Sequence, residues 1–519
     1  MNRQEMLSRA LSRSQPWDML IIGGGATGAG IAVDAASRGY EVLLLEQSDF
    51  GKGTSSRSTK LVHGGVRYLE QGNIPLVMEA LRERGILRRN APHLVTDLAF
   101  VVPRYDWWEA PFYGFGLKLY DLLAGEYGFG KSQLLSREET LERLPTIKQE
   151  ELRGGVIYYD GQFDDSRLLI NLMQTAADHG ATLLNYVQVN EITKAADGFV
   201  SGAKARDIET GNEFAVTANV VINATGAFSD AIRKMADPSV TPMIAPSQGI
   251  HLVFDRSFLA GNSAIMVPHT SDGRVMFAIP WHGHTVVGTT DTPISNISLE
   301  PLPLKEEIDF ILETAARYLD KVPTRQDVLS VFVGIRPLVG DGGNNTASIS
   351  RDHTIRIDNS GLLSIAGGKW TTYRRMAEDC VNQAATLARL PEKPAITGTL
   401  KIHGHHERAN EFADLAVYGS EAFAIQSLIC NDPRLGERLH PTLKYCAAEV
   451  VWATRVEMAR TVEDVLARRT RALFLNAQAA FDMATKTAEI MAHELNYDQA
   501  WQINQIKIFR KLARNYILE

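Results

Sequence analysis

The sequence predicts an α/β fold followed by an all-α C-terminal domain. Three observations carry this. Residues 18–46 read as one strand, glycine-rich turn, helix and strand. Strand and helix signals then alternate irregularly as far as Leu390. From about Ala409 the apolar spacing is almost wholly helical.

The first unit is the sharpest. Asp18–Ile22 is a short apolar strand, and Gly23-Gly24-Gly25-Ala26-Thr27-Gly28 is the turn. Ala29–Arg38 has apolar residues at helical spacing, and Gly39 is a helix stop. Glu41–Leu45 is a second buried strand, ending at Glu46. The turn satisfies G-x-G-x-x-G directly after a strand. Gly23 allows the tight turn, Gly25 lets backbone approach a pyrophosphate, and Gly28 permits close helix–strand packing. The helix N-terminus adds N–H groups and a positive dipole end. Glu46 stands 18 residues after Gly28, near the ~20 expected of the acid that accepts ribose hydroxyls. This is a Rossmann-like dinucleotide site. No second copy of the motif follows, which favours FAD over a nicotinamide nucleotide.

Beyond it, strands are expected at Ala181–Val189, Val220–Ala224, Ile250–Phe254, Val275–Ile279, Thr285–Thr289 and Ile355–Ile357. Helices are expected at Ser166–His179 and Leu304–Leu319. Such interleaving predicts an FAD-binding domain over 16–390 with a mixed-sheet cap woven through it, the cap pieces at about 90–165 and 240–345. Leu390–Pro394 reads as a linker, and 391–519 as the helical domain. Two later strands end in glycine, Val221–Gly226 and Leu363–Gly368, bringing pliable backbone to strand ends where cofactors sit in open α/β sheets.

Bulk properties exclude several classes. A net charge of −7 argues against nucleic acid as a partner. Cys380, Cys430 and Cys446 form no C-x-x-C pair, so a disulfide framework is excluded and packing is the expected role. The first 17 residues carry Arg3, Arg9 and Arg13 without an apolar run, and no window resembles a spanning helix. The expected location is cytoplasmic, and any membrane association is expected to be peripheral, on the inner face of the cell membrane. Trp107-Trp108, Pro111-Phe112 and Phe115 form an aromatic patch. It reads as core or cap packing, or as a surface dipping into a membrane interface. His282 and His284, and His403, His405 and His406, lack partners at ligand spacing, so no metal is expected.

Basic and hydroxyl residues cluster beside glycine turns: Thr54–Lys60, His63–Glu70, Gly334–Leu338, Ser350–Asp352 and Gly368–Arg374. Arginine forks and lysine point charges suit a phosphate. These strings, with Ile22–Ala32, Ser247–His251, Gly288–Asp291 and Ser350–Thr354, resemble the FAD-dependent glycerol-3-phosphate dehydrogenases in order and spacing over about 18–380.

The resemblance implies a glutathione-reductase-type FAD domain, a sheet-based substrate cap and a helical C-terminal domain. It implies oxidation of sn-glycerol 3-phosphate to dihydroxyacetone phosphate, with hydride passing from C2 to FAD and electrons then to membrane quinone. Arg67, Tyr68, Arg351 and Lys369 match positions that line the substrate pocket and hold its anionic end. Arg336 matches the arginine set against the reacting carbinol and flavin, and His251 matches a pocket histidine; Arg336, His251 and Lys369 are assigned to catalysis. Arg336 is expected to stabilise the developing alkoxide and His251 to take the hydroxyl proton. A structural histidine is the plainer reading of His251. Cofactor contacts are expected from Gly23, Gly25, Gly28, Glu46, Thr54, Ser55, Ser58, Lys60, His63, Gly64, Gly226, Gly368, Lys369 and Thr371.

The rivals are a glycerol-3-phosphate oxidase using oxygen, an amine or amino-acid oxidase, and a non-catalytic FAD-binding sensor. The wealth of cations argues for phosphate over carboxylate. The charged reaction-centre residues argue against a sensor. A homodimer is compatible with the sequence, though no residue argues for one.

Overall fold

The computed structural model describes residues 1–65, 73–105, 109–268, 270, 274–340 and 352–518, the side chains of 109–115 excepted. Among the described residues, eight strands form one sheet and ten another.

The first sheet is mostly parallel. Its main path runs His353–Ile357, Leu363–Gly367, Glu213–Asn223, Trp17–Ile22, Val42–Leu45, Thr182–Leu184. Only the His353–Ile357 edge strand runs antiparallel on that path. Both faces are buried, as parallel sheets require. Met19, Ile21, Val42, Leu44 and Ile222 pack into one core, shared with the helices Ala26–Ser37, Asp165–Asp178 and Tyr373–Leu387. Leu20, Ile22, Leu43, Leu45 and Val221 enter the opposite core, beneath the strands Val187–Lys194 and Val200–Asp207. Each such side chain, fully buried, is worth about 1.5–3 kcal/mol.

The expected strand Ala181–Val189 is divided. Thr182–Leu184 stays in the sheet, while Val187–Lys194 leaves to pair with Val200–Asp207. Tyr186 turns the chain with φ 56°. A helix spans Arg3–Ser12, and the helix after the glycine turn starts at Ala26, three residues before the apolar spacing begins, so the glycine motif itself forms its first turn.

The second sheet is mixed. The long strands Val95–Arg104 and Gly154–Phe163 pair over their whole length. Ile244–Asp255 pairs antiparallel with Ser330–Val339, setting Ser247 opposite Arg336 and His251 opposite Phe332. One face, with Leu252, Phe254, Val287 and Val331, packs beneath the helix Lys305–Tyr318. The other, with Phe100, Tyr158, Trp281 and Phe332, packs against C-terminal residues including Val450, Phe474 and Met483.

The helical region is bolted to the rest by buried ions. Arg167 grips Glu457 with two bonds of 2.9 and 2.7 Å, both side chains fully buried. Arg471 meets Asp164 at 2.7 Å. The segment expected to be a linker is strapped down as well. Tyr40 Oη donates to the Pro391 carbonyl (2.6 Å), and Thr397 Oγ1 to Asp34 (3.0 Å). Among the described residues no helix is long and apolar enough to cross a membrane.

Candidate active site

A groove of about 1490 Å³, open solvent included, lies along the C-terminal ends of the first sheet's parallel strands. Its enclosed part, about 360 Å³, falls within the roughly 300–1,000 Å³ of small-molecule and cofactor sites. Gly23, Gly25, Glu46, Thr54, Ser55, Gly226, Gly368 and Lys369 all line it. So do Ala224, Pro337 and Trp370, which lie within the singled-out strings, and Gln47, Lys52 and Val187–Val189, which no motif marked. Val187–Val189 belong to the strand that departs after Tyr186, which periodicity alone does not place.

The geometry fits a dinucleotide. Gly23 has φ 108°, and a Cβ there would stand 2.6 Å from the Ala224 carbonyl oxygen. Ser55 Oγ accepts from Ala26 N at 2.9 Å, securing the first turn of the helix whose N-terminus faces the groove. Glu46 accepts from Gly24 N (2.7 Å) and Ser48 N (2.9 Å). Burial raises its carboxyl above the ordinary value, against those two donors. An added Cβ at Gly53 or Gly226 would meet nothing within 4 Å, so backbone there faces open space. Bare backbone, a helix N-terminus and an acid at a strand end are what the pyrophosphate and ribose of FAD need.

Six expected cofactor contacts do not line the groove. Gly28 is packed under the turn, where a Cβ would overlap the Gly23 carbonyl. Ser58 and Lys60 turn inward: Ser58 Oγ and Lys60 Nζ each donate to Asp165 at 2.7 Å. Lys60 Nζ also donates to Ser56 O (2.7 Å) and sits over the rings of Trp281, Phe332 and Phe474 at 5.0–5.4 Å. That burial lowers its ammonium below the ordinary value, with Asp165 opposing. His63 N donates to Thr371 Oγ1 at 3.2 Å, stitching two loops behind the groove. Gly64 packs against Tyr120 and Leu81.

Arg336 is fixed beside the groove, one residue before the lining Pro337. Its guanidinium donates to Asp291 (3.2 Å), Thr289 Oγ1 (3.1 Å) and the Thr290 carbonyl (2.9 Å). Ser247 donates to the same Asp291 oxygen. Glu307 underpins this loop by accepting from Thr290 (2.9 Å), Thr292 (2.7 Å) and Gln248 (2.7 Å).

His251 lies on the neighbouring strand, buried and stacked on Phe332 at 4.8 Å. Its Nε2 is 2.9 Å from Thr59 Oγ1. Burial, then the charges of Lys60 and Arg336, hold its pKa well below the ordinary 6.5. The ring is therefore neutral, and also a weaker base than a solvated imidazole. Arg67, Tyr68 and Arg351 lie outside the described residues, as does the aromatic pair Trp107-Trp108.

Other singled-out residues are structural. His282 bonds Asp164 at 2.8 Å. His403 lies between Asp178 (2.7 Å) and Glu421 (2.8 Å), which raise its pKa against the cost of burial. Cys380 is buried, with its thiol pushed up by desolvation.

Comparison with known proteins agrees with the groove. The family described as FAD dependent oxidoreductase matches residues 18–374. A mitochondrial glycerol-3-phosphate dehydrogenase of Rattus norvegicus is 42% identical, over 94% of this chain and 72% of its own. The chain belongs to the FAD-dependent glycerol-3-phosphate dehydrogenases. An Arabidopsis thaliana member is also 42% identical, over 99% of this chain and 88% of its own. The crystal structure of the Bacillus halodurans glycerol-3-phosphate dehydrogenase complexed with FAD shares the fold, with a TM-score of 0.81 and 30% identity over 99% of this chain and 97% of that one. Residues 362–502 match the family described as the C-terminal domain of alpha-glycerophosphate oxidase. FAD is thus the cofactor of this oxidoreductase, and the fold is the mixed α/β FAD-binding type with a helical C-terminal domain.

Proposed function

We propose that this enzyme oxidises sn-glycerol 3-phosphate to dihydroxyacetone phosphate and delivers the electrons to a membrane quinone. The observation that supports the chemistry best is Arg336, a cation braced on three partners at the edge of the dinucleotide groove.

Bound FAD supplies the hydride acceptor. The protein supplies alignment, charge and a route for the proton. Arg336 stabilises the oxygen that becomes an alkoxide as the C2 hydroxyl loses its proton; its bracing means little reorganisation when that charge appears. His251, neutral and tied to Thr59, is the proposed proton acceptor. Lys369 places a second cation on the groove wall. Arg67, Tyr68 and Arg351 are assigned to the phosphate end from sequence alone.

The location proposed is cytoplasmic, at the inner face of the membrane. Exposed Ile74 and Met78 on one helix, and Leu122 on the helix packed against it, support a peripheral contact.

The deciding experiment is anaerobic. Glycerol 3-phosphate should bleach the yellow protein, and an amino acid should not. A protein bleached only by an amino acid would end the phosphate reading. Reoxidation by a quinone analogue should then outrun reoxidation by oxygen; the reverse order would make the enzyme an oxidase.

A further inference from the structure

One wall of the cofactor groove is a loop. Gln47, Gly51, Lys52 and Gly53 line the groove, and they follow Glu46, just past the end of the strand Val42–Leu45. A loop holds its shape only as well as its anchors do. Here the anchors come from the far end of the chain.

Asp49, at the centre of the loop, is fully buried. It accepts from Arg468 Nε (2.5 Å) and from both terminal nitrogens of Arg469 (2.7 and 3.0 Å). Lys52 Nζ donates to Glu463 at 2.9 Å, and Glu463 accepts from Arg468 at 2.8 Å. The adjoining wall strand is held by the same segment. Tyr186, which precedes the lining Val187, donates through its hydroxyl to Asp464 at 2.7 Å and through its N–H to Ser48 O at 2.9 Å. All these C-terminal partners sit on or beside one π-helical turn, Asp464–Arg469. Wide turns of this kind are rare and frequently occur at functional sites. The turn is 419 positions from Asp49, so nothing local explains the arrangement.

We propose that the Glu463–Arg469 turn is a cofactor-retaining clamp, holding the 47–53 wall against FAD through Asp49 and Lys52. This gives the helical C-terminal region a role in cofactor affinity. It rests on the reading of the groove as the FAD site. Asp49 serves as the fixed point, because two buried arginines permit it no other position. Lys52 serves as the adjustable one, since it lines the groove while its ammonium lies between Glu463 (2.9 Å) and Glu300 (3.8 Å). Both are positioning residues.

The test is FAD titration of the apoprotein, read by quenching of flavin fluorescence. Glu463→Gln should weaken binding about ten-fold, a change of about 1.4 kcal/mol. Lys52→Met should weaken it similarly. The double variant should fall well short of the product of the two, because both remove one interaction. Lys52→Arg should restore affinity, which a merely space-filling role of the stem does not require.

FAD affinity in both single variants within about two-fold of the parent, or full additivity in the double variant, would overturn the clamp. If Glu463→Gln does not fold as apoprotein by circular dichroism, Lys52→Met and Lys52→Arg decide alone. A parent that holds FAD but is not bleached by glycerol 3-phosphate refutes the substrate and leaves this titration intact. A parent that takes up no FAD refutes the groove and the clamp together.

Discussion

Arg336 and His251 show how neighbours decide what a residue can do. Arg336 is held by a carboxylate, a hydroxyl and a carbonyl, with its side chain still partly exposed. Removing it leaves Asp291 without that counter-charge where an alkoxide must form. Arg336→Ala should slow flavin reduction in stopped-flow by about 10²–10³-fold, the usual loss for one preorganised donor, with flavin content unchanged. His251 makes a prediction of opposite character. Its folded pKa is depressed, so the base form persists on acidification until below 6.5. The acid limb of the flavin-reduction profile should therefore fall below pH 6.5, and Thr59→Val should move it. A limb at or above 6.5 would remove His251 as the base. Gly25→Val places a side chain between Ser55 and the pyrophosphate path, since even a Cβ there lies 3.0 Å from Ser55 Oγ. The purified variant should be colourless.

At the scale of elements, the most exposed dependence is a helix N-terminus. Glu307, in the first turn of Lys305–Tyr318, accepts from Leu304 N (3.0 Å) as well as from Gln248, Thr290 and Thr292. One carboxylate thereby caps a helix and shapes the loop that braces Arg336. Glu307→Ala strands these buried donors, at about 1–3 kcal/mol for each left unsatisfied. Calorimetry should show a lowered Tm, and turnover should fall with it. A normal turnover number would mean the loop holds itself.

The elements also show what was legible in advance. The glycine turn, its flanking strands and Glu46 could be read because each constraint is local: spacing, turn chemistry and strand ends lie within thirty residues. Lys60 could not be read. Its sequence neighbours suggested a phosphate contact, but its direction is set by Asp165, 105 positions away, and by three rings from distant segments. Likewise, the residues of Ala181–Val189 favour extended backbone throughout. Tertiary pairing decided that the chain should turn at Tyr186.

For the whole molecule, buried ion pairs are concentrated where the helical region meets the sheets. Asp49 carries a prediction with a definite sign. Burial would raise its carboxyl, but Arg469 and Arg468 together outweigh that and lower it to about 2, from 3.8 in an unfolded chain. A depressed acid stabilises the fold fully above its unfolded value, and that contribution is lost as pH falls toward the folded one. Acid unfolding should accordingly steepen between about pH 4 and pH 2, and Asp49→Asn should flatten that segment. An unchanged acid transition in the variant would detach Asp49 from the docking. Glu457→Gln should be more severe, because it leaves Arg167 buried with half its partner; loss of a buried partner typically costs about 3–5 kcal/mol.

The strand order carries a consequence for biosynthesis. The parallel sheet takes its members from residues 17–22, 42–45, 182–184, 213–223 and 363–367, and the groove is finished only by Trp370, Tyr373 and Met376. A ribosome that has released the first 350 residues has therefore made the glycine turn but not the crevice it serves. Flavin loading belongs to the end of synthesis, and until then the half-built sheet lacks the neighbour that Leu363–Gly367 provides beside Ile222 and Asn223, although Glu213–Thr217 can already pair with Gly202–Arg206.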